Sequence, residues 1–228
     1  MAINKPFILI LALFCLVAPA TAQKAWEKRP YQQWSMSEVE QILSDSPWAQ
    51  TQVKEGDNIS SSPTYFINIR LRSAVFVRQA LVRQRQLHMH YDKFTPADKA
   101  RFDDEVKEFL ECPDCAKYYI ITLGSRNDSY PLRAMKESSL DKLKAYISLT
   151  SDKGERRDLV HFIALQSEEG EIMFVFARFD DQGKPLLTTN NKKLYFKMDE
   201  KLFEGKTPPI KNFTFEVSKL LQNGEIVF

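Results

Sequence analysis

Two cysteines three positions apart form the short motif of this sequence with the greatest chemical potential, Glu111-Cys112-Pro113-Asp114-Cys115. A C-x-x-C pair of this kind has three possible uses. It can close a local disulfide, exchange disulfides with a partner protein, or supply two thiolate ligands to a metal ion. Each use requires different surroundings, so the elements on either side of the two cysteines decide among them.

Redox chemistry needs a thiolate, and a cysteine loses its proton more readily at the positive N-terminus of a helix. Here a helix is predicted before the motif and a strand after it, so Cys112 is expected at the negative end of a helix. Glu111 and Asp114 lie beside it and also disfavour a thiolate. This order favours a structural disulfide between Cys112 and Cys115, which would contribute only about 2 kcal/mol because its loop is short.

The metal alternative needs two further ligands. His88 and His90 precede the acidic helix described below, and with Cys112 and Cys115 they could complete a tetrahedral zinc site. Both imidazoles would point to one face if residues 87–91 were extended, and they would diverge if those residues were helical. Zinc therefore stays open as an alternative, whereas the disulfide interpretation calls for no cofactor.

Other catalytic motifs are missing from the sequence. It has no G-x-S-x-G, H-E-x-x-H, P-loop or dinucleotide-binding fingerprint. His161 lies in the apolar run from Leu159 to Leu165, where a histidine is more often a core residue than a general base. We therefore expect no catalytic residue, and enzymatic activity is not favoured.

The redox state of the two cysteines depends on the compartment, and the start of the chain predicts export. Residues 1–22 contain one cation, Lys5, then an apolar run over residues 7–17 and a small-x-small ending, Ala20-Thr21-Ala22, as in signal peptides. The apolar run of roughly 11 residues is shorter than the about 20 that a membrane span requires. We therefore expect cleavage after Ala22 and an extracytoplasmic protein, either periplasmic or secreted.

Export leaves Cys112 and Cys115 as the only cysteines, since Cys15 lies in the leader. In an oxidising compartment, one close pair most simply forms one disulfide. Cleavage also removes Lys5, so the formal net charge falls from +2 to +1. A chain so close to neutral has no overall field that calls for nucleic acid as a partner. No later segment is apolar enough to span a membrane, so residues 23–228 are expected to form a single domain.

The part of this domain over about 35–111 has helical patterns. Ser35 and Glu38 can form a capping box that begins a short helix, and Pro47 must stop that helix. Trp34 precedes the cap and can pack on Val39 as a hydrophobic staple. The capping signals thus predict one well-defined helix near the start of the domain.

Two further helices, over about 73–87 and 96–111, are expected to pair. The second begins at Pro96 after its cap Thr95 and is strongly acidic, whereas the first lies in a region with five arginines. We expect an antiparallel hairpin in which the basic and acidic side chains form ion pairs. Each exposed pair would contribute only about 0–1 kcal/mol to stability. An anion-binding face is the alternative role for the arginines. They are Arg70, Arg72, Arg78, Arg83 and Arg85.

Short β-rich segments follow the cysteines, separated by turns rich in Gly, Pro and Asn. Residues 140–150 fit a helix or a strand equally well. Together the patterns predict an α+β fold, with N-terminal helices, including the basic/acidic hairpin, packed on a C-terminal antiparallel sheet over about 116–228. The β-rich segments are 118–123, 157–166, 172–179, 194–198, 213–217 and 225–228, with earlier candidates at 48–54 and 64–69.

Several blocks of the sequence are distinctive in combination. They are Trp34-Ser35, Leu43-Ser44-Asp45-Ser46-Pro47-Trp48-Ala49, the segment from Arg70 to Leu81, and Phe109-Leu110-Glu111-Cys112-Pro113-Asp114-Cys115 leading into Tyr118-Tyr119. In these blocks the chain resembles a group of predicted-secreted bacterial proteins that have no assigned activity. The resemblance implies a bacterial, extracytoplasmic setting and supplies no mechanism.

The sequence therefore favours a non-enzymatic exported protein that binds a ligand or an envelope protein partner, with Cys112 and Cys115 joined in a structural disulfide. The alternative is a metal-binding or thiol-active extracytoplasmic protein that uses the same two cysteines, with His88 and His90 as further metal ligands.

Overall fold

A computed structural model describes residues 25–54, 65–125, 130–164, 171–203 and 212–227. The predicted signal peptide lies outside these ranges. Among the helices described, none is long and apolar enough to cross a membrane. The helices are α1 (Ala25–Lys28), α2 (Met36–Ser44), α3 (Val75–His88), α4 (Pro96–Glu111), α5 (Tyr130–Lys136) and α6 (Leu140–Tyr146). The strands are β1 (Ala49–Lys54), β2 (Tyr65–Leu71), β3 (Tyr118–Ser125), β4 (Ile147–Ser151), β5 (Arg156–Ala164), β6 (Ile172–Ala177), β7 (Lys193–Met198), β8 (Phe213–Glu216), β9 (Leu221–Gln222) and β10 (Glu225–Ile226).

Eight of these strands form one antiparallel sheet in the order β1-β2-β3-β6-β5-β4-β7-β8, which confirms the α+β class. The sheet curves until its two edge strands approach each other. Gln50 of β1 donates a hydrogen bond from Nε2 to the carbonyl of Thr214 in β8 at 2.7 Å. The sheet is therefore nearly closed on itself, and its concave face encloses the core.

Apolar side chains alternate along the strands and fill this concave face. In β6, Ile172, Phe174 and Phe176 are fully buried, while the residues between them are partly exposed. Phe196 of β7 packs against Phe174 and Phe176, with ring centroids 5.5 and 6.1 Å apart. Strands β5 and β4 lie between β6 and β7 in the sheet, so these aromatic contacts exist because the sheet curves.

Helix α2 begins and ends as its sequence predicts. The Ser35 side chain accepts from the Glu38 backbone, and the Glu38 side chain accepts from the Ser35 backbone, which is a complete capping box. Trp34 and Val39 are buried in the same cluster, as a hydrophobic staple requires. The helix ends two residues before Ser46, whose hydroxyl donates to the carbonyl of Ile42 at 2.7 Å.

Helices α3 and α4 pack as the predicted antiparallel hairpin, but charge pairing is not its main support. Among the described residues of the two helices, one ion pair joins them, Arg85 to Glu105 at 2.8 Å, and both side chains are exposed. Arg78 and Arg83 are instead buried and donate to backbone carbonyls of other elements. The expected match of basic and acidic faces is therefore wrong in detail, because burial turns the arginines inward.

The predicted division into a helical part and a β-rich part is less clean than expected. Strands β1 and β2 precede α3 and join the main sheet, and helices α5 and α6 follow β3. Residues 140–150, which fitted either state, contain both: α6 ends at Tyr146 and β4 begins at Ile147. The buried Leu143 of α6 packs into the same core as the sheet, so a local apolar pattern could not separate helix from strand.

The turn between β4 and β5 carries a carboxylate whose pKa is strongly shifted. Glu155 accepts hydrogen bonds from the Ser151 hydroxyl and from Lys184 Nζ, and the bond from Ser151 contributes most to lowering its pKa from 4.5 to about 2. A carboxyl with a depressed pKa stabilises the folded state above its unfolded pKa. That stabilisation is lost as the pH falls through the folded pKa.

We therefore expect Glu155→Gln to be less stable than the wild type at neutral pH, with the difference shrinking as the pH falls from 4.5 to about 2. Urea denaturation at a series of pH values measures this. Glu137→Gln, which removes one negative charge from an exposed position, is the matched control. A difference between Glu155→Gln and wild type that did not change over that pH interval would contradict the assignment.

Candidate functional site

The two cysteines form a disulfide in a tight turn between α4 and β3. Cys112 follows the last residue of α4 in a left-handed conformation (φ 46°, ψ 70°), and Cys115 lies in the 3-10 turn Pro113–Ala116, with 5.3 Å between their Cα atoms. We call residues 112–115 the disulfide turn. Cys112 is partly exposed, whereas Cys115 is buried. The two sulfur atoms therefore lie in different environments.

A buried guanidinium lies against the inner sulfur of the disulfide turn. Arg78 of α3 places Nη1 3.4 Å from the Sγ of Cys115. The same side chain donates to the carbonyls of Leu110 and Ser73, with the Leu110 contact at 3.0 Å. Burial lowers the pKa of Arg78 to about 10, so the group stays protonated at neutral pH. Among the described residues, its hydrogen-bond partners are two neutral carbonyls and the sulfur, with no carboxylate.

A second arginine holds the backbone of the disulfide turn. Arg178, just after β6, donates from Nη1 to the carbonyl of Cys115 at 2.9 Å, and its guanidinium lies 5.4 Å from the ring centroid of Tyr119. The pKa of the Tyr119 hydroxyl is raised, chiefly because the group is buried. The inner half of the disulfide turn thus contacts cations from α3 on one side and from the sheet on the other.

The two histidines proposed as zinc ligands lie elsewhere. His88 ends α3 and His90 follows it, and both are exposed. The 16 residues of α4 separate this end of the hairpin from Cys112, a length of about 24 Å at 1.5 Å per residue. The structure therefore brings Cys112 and Cys115 together and leaves His88 and His90 at the opposite end of the hairpin. Within the described parts of the chain, no three His, Cys, Asp or Glu residues are grouped to hold a metal ion.

His161 is not a core residue, contrary to the expectation from its apolar neighbours. It lies on β5 and is exposed. The register of β5 against β6 shifts between Leu159 and His161, so two residues of β5 occupy one step of the ladder. Regular alternation after the buried Arg157 and Leu159 would place His161 on the buried face. The irregularity interrupts that alternation, and His161 is exposed.

A groove of about 590 Å³ lies beside the end of α2 and the β1-β2 hairpin. Its apolar wall is formed by Val53 and Phe66, which face each other across the two strands and are 55% and 41% exposed. Its polar lining includes Asp45, Thr51, Asn68, Arg70 and Ser125. We call this concavity the groove. It combines hydroxyl, amide and carboxylate groups with one exposed aromatic ring.

Arg70 is the buried cation of the groove wall. It donates from Nε to the carbonyl of Leu43 at 2.9 Å and from Nη1 to Glu171 at 2.7 Å, and both charged side chains are about nine-tenths buried. Asn68 donates to the carbonyl of Leu43 and to the hydroxyl of Thr51. The two bonds to Leu43 satisfy a C-terminal carbonyl of α2 and connect the groove wall to that helix.

Asn68 also contributes a buried acceptor to the groove wall. Its Oδ1 atom accepts no hydrogen bond from the residues that the structure describes, while its amide nitrogen donates two. Buried polar atoms are nearly always paired, so an unpaired one in the wall of a groove calls for an explanation. Asp45 is exposed at the rim of the groove, and Arg70 forms an ion pair with Glu171.

Sequence reasoning identified the cysteines but missed both the groove and the role of Arg78. Arg78 appeared only as one of five arginines assigned to a surface, and 37 positions separate it from Cys115. Arg70 and Glu171 are 101 positions apart, so no local pattern connects them. The available signal was the placement of arginines within apolar segments, where a cation must find buried partners. No protein-family model, curated protein or solved structure matches the chain.

Proposed function

We propose that this chain is a non-enzymatic, extracytoplasmic binding protein whose groove takes a neutral, hydroxyl-rich ligand such as an oligosaccharide. The observation that carries the proposal is the lining of the groove, where amide, hydroxyl and carboxylate groups lie beside the exposed ring of Phe66. Polar groups of these kinds can exchange hydrogen bonds with the hydroxyls of such a ligand.

The charges of the groove favour a neutral ligand over an anionic one. Arg70 is paired with Glu171, which removes the cation that would attract an anion, and Asp45 adds a carboxylate at the rim. Hydroxyl groups of a sugar can donate to the exposed carboxylate of Asp45 at the rim. A saccharide ring also has apolar faces, which an exposed aromatic side chain such as Phe66 can cover. The groove thus combines a few polar groups with an apolar surface, as binding pockets commonly do.

The proposed setting is extracytoplasmic, and an envelope glycan would be a ligand of this chemistry there. The signal-peptide pattern of residues 1–22 and the disulfide of Cys112 and Cys115 support that setting. In it, the disulfide would also stiffen the junction between α4 and the sheet. The intact mass of the exported protein tests export directly, because cleavage after Ala22 removes a defined mass.

Replacing Phe66 by alanine is expected to weaken oligosaccharide binding at least about fivefold, because one aromatic contact and its desolvation contribute roughly 1–3 kcal/mol. Isothermal titration of the purified protein with soluble glucans and with N-acetylglucosamine oligomers measures the affinity. The two ligand series separate a general saccharide site from one that prefers the N-acetyl groups of envelope glycans.

Phe179→Ala is the matched control, since Phe179 is 44% exposed and Phe66 is 41% exposed, and Phe179 does not line the groove. The control variant should bind as the wild type does. Equal losses in the two variants would contradict the groove as the binding site. Absence of binding to every saccharide tested would refute the ligand class.

A further inference from the structure

We propose that the disulfide of Cys112 and Cys115 is exchangeable: a thiolate of a partner dithiol protein attacks Cys112, and Cys115 leaves as a thiolate held beside Arg78. The disulfide turn lies at the C-terminal end of α4, away from the loop that joins α3 and α4. The proposal does not depend on saccharide binding in the groove. It gives the protein a redox role, stoichiometric thiol–disulfide exchange with a partner protein, in addition to ligand binding.

The difference in exposure decides which sulfur is attacked. Cys115 is only 4% exposed, whereas Cys112 is partly exposed at the end of α4. An incoming thiolate must approach along the axis of the sulfur–sulfur bond, so the accessible atom is Cys112 Sγ. Cys115 is then the leaving group, and a leaving thiol with a lower pKa leaves faster.

Arg78 stabilises that leaving group. Its Nη1 atom is 3.4 Å from Cys115 Sγ, and Arg78 as a whole is 4% exposed. The other acceptors of Arg78 are the neutral carbonyls of Leu110 and Ser73, so no carboxylate among the described residues neutralises its charge. A buried cation that lacks a counter-ion is costly, and a thiolate at Cys115 would supply one. The reduced form of the protein therefore gains an ion pair that the disulfide form cannot make.

Other charged groups near Cys115 do not cancel this effect. Arg178 donates to the Cys115 carbonyl at 2.9 Å and adds a second positive charge on the sheet side. Glu111 and Asp114, which precede and separate the cysteines, are exposed to solvent, as is Lys117. Solvent screens exposed charges more strongly than a buried cation in contact with the sulfur. The negative end of α4 acts on Cys112, which is the attacked atom and does not need to be a stable thiolate.

The exchange is balanced as follows. The partner thiolate forms a bond to Cys112 Sγ while the bond between Cys112 and Cys115 breaks, and the electron pair of that bond stays on Cys115 Sγ. The second thiolate of the partner then attacks its own sulfur in the mixed disulfide and releases Cys112, which takes a proton from water. Each partner thiol loses a proton to water before it attacks, two in all, and Cys112 takes up one, so one proton is released overall because Cys115 remains a thiolate. The partner dithiol is oxidised to a disulfide, and the protein is reduced by two electrons.

The pKa of the Cys115 thiol is the first test. In a Cys15→Ser, Cys112→Ser chain, Cys115 carries the only thiol, and the ultraviolet absorbance of its thiolate can be titrated although the group is buried. We expect a pKa at least one unit below the ordinary value of about 8.5, and an upward shift of at least one unit when Arg78→Met is added. A pKa at or above about 8.5 with Arg78 in place would overturn the proposal.

The second test measures the equilibrium with dithiothreitol by mass-tagging of free thiols in a Cys15→Ser chain. At a pH of about 9.5, above the Cys115 pKa of both chains, we expect Arg78→Met to lower the equilibrium constant for reduction about tenfold, because one unit of pKa difference between ionised thiols corresponds to a factor of ten. Arg78→Lys, which keeps the positive charge, should have an equilibrium constant for reduction close to that of the chain with Arg78. Arg85→Met, an exposed arginine on the same helix, should leave it unchanged.

The pH dependence of that equilibrium separates thiol exchange from a merely structural role. With Arg78 intact, the constant should rise about tenfold per pH unit between the Cys115 pKa and about 8.5, because each reduction releases one proton. A constant independent of pH in that interval, or equal values for Arg78→Lys and Arg78→Met, would overturn the proposal. Should Arg78→Met fail to fold by circular dichroism, the pH slope and the pKa of the chain with Arg78 still decide it.

Discussion

Replacing Glu171 by alanine is expected to lower the free energy of unfolding by about 3–5 kcal/mol, because the change leaves buried positive charge without its partner. Glu171 accepts from Arg70 at 2.7 Å, and both side chains are about nine-tenths buried. Burial also lowers the pKa of Arg72, a shift that Glu171 opposes and Arg70 increases. Glu171 thus lies close to two arginines, and removing it leaves these two cations near each other in a poorly solvated region.

Urea denaturation of the wild type and three variants measures this effect. Glu171→Gln keeps a hydrogen-bond acceptor for Arg70 and should cost less than Glu171→Ala. The double variant Arg70→Met with Glu171→Leu removes both charges and should lie within about 2 kcal/mol of the wild type, since a buried ion pair is often replaceable by apolar residues. If the double variant were as unstable as Glu171→Ala, the loss would come from packing, and the explanation from unpaired charge would be wrong.

The same variants bear on the groove. Arg70 donates to the carbonyl of Leu43 as well as to Glu171, so it ties the end of α2 to the strand that carries Phe66. A fold that survives Glu171→Gln but binds saccharide less tightly would show that this tie positions the groove wall. Stability and affinity should therefore be measured on the same preparations.

The helices with strong capping signals could be predicted closely from the sequence. The capping box of Ser35 and Glu38 predicted the start of α2, and Thr95 with Pro96 predicted the start of α4. These signals involve residues at most three positions apart and act on backbone groups that every helix leaves unpaired. The strand in 118–123 and the paired segments of β5 and β6 were likewise predictable from apolar content and turns.

The environment of the arginines could not be predicted from such local signals. Arg70, Arg78 and Arg83 are buried and hydrogen-bonded to carbonyls or to partners far along the chain. A charge run at the sequence level is ordinarily solvated, and nothing local distinguishes the residue that turns inward. The candidate site at the disulfide turn was therefore identified by its cysteines, while the contact of Arg78 with the sulfur of Cys115 was found only in the structure.

The curvature of the sheet is another property that depends on distant residues. Gln50 and Thr214 are 164 positions apart, yet the side chain of one bonds to the backbone of the other across the two sheet edges. Alternating apolar residues predict which face of each strand is buried, but they do not specify how far the sheet turns. The curvature of the sheet is visible in the contacts between side chains of non-adjacent strands on its concave face.

Phe196→Ala tests whether that curvature depends on the aromatic cluster at its centre. Phe196 is fully buried and contacts Phe174 and Phe176 from across two intervening strands. Loss of its ring removes buried apolar surface and leaves a cavity that a closely packed sheet cannot easily fill. We expect the free energy of unfolding to fall by about 3–5 kcal/mol, a large part of the 5–15 kcal/mol typical of a whole domain.

The control is Phe179→Ala, which removes an exposed ring and should change the free energy of unfolding by no more than about 0.5 kcal/mol. Phe196→Leu should fall between the two, because it refills part of the cavity. Urea denaturation gives all three values, and hydrogen exchange at the amides of β1 and β8 reports on the sheet edges. If Phe196→Ala cost no more than Phe179→Ala, the strands would keep their arrangement without the cluster. The curvature would then depend on the backbone and on the contact of Gln50 with Thr214.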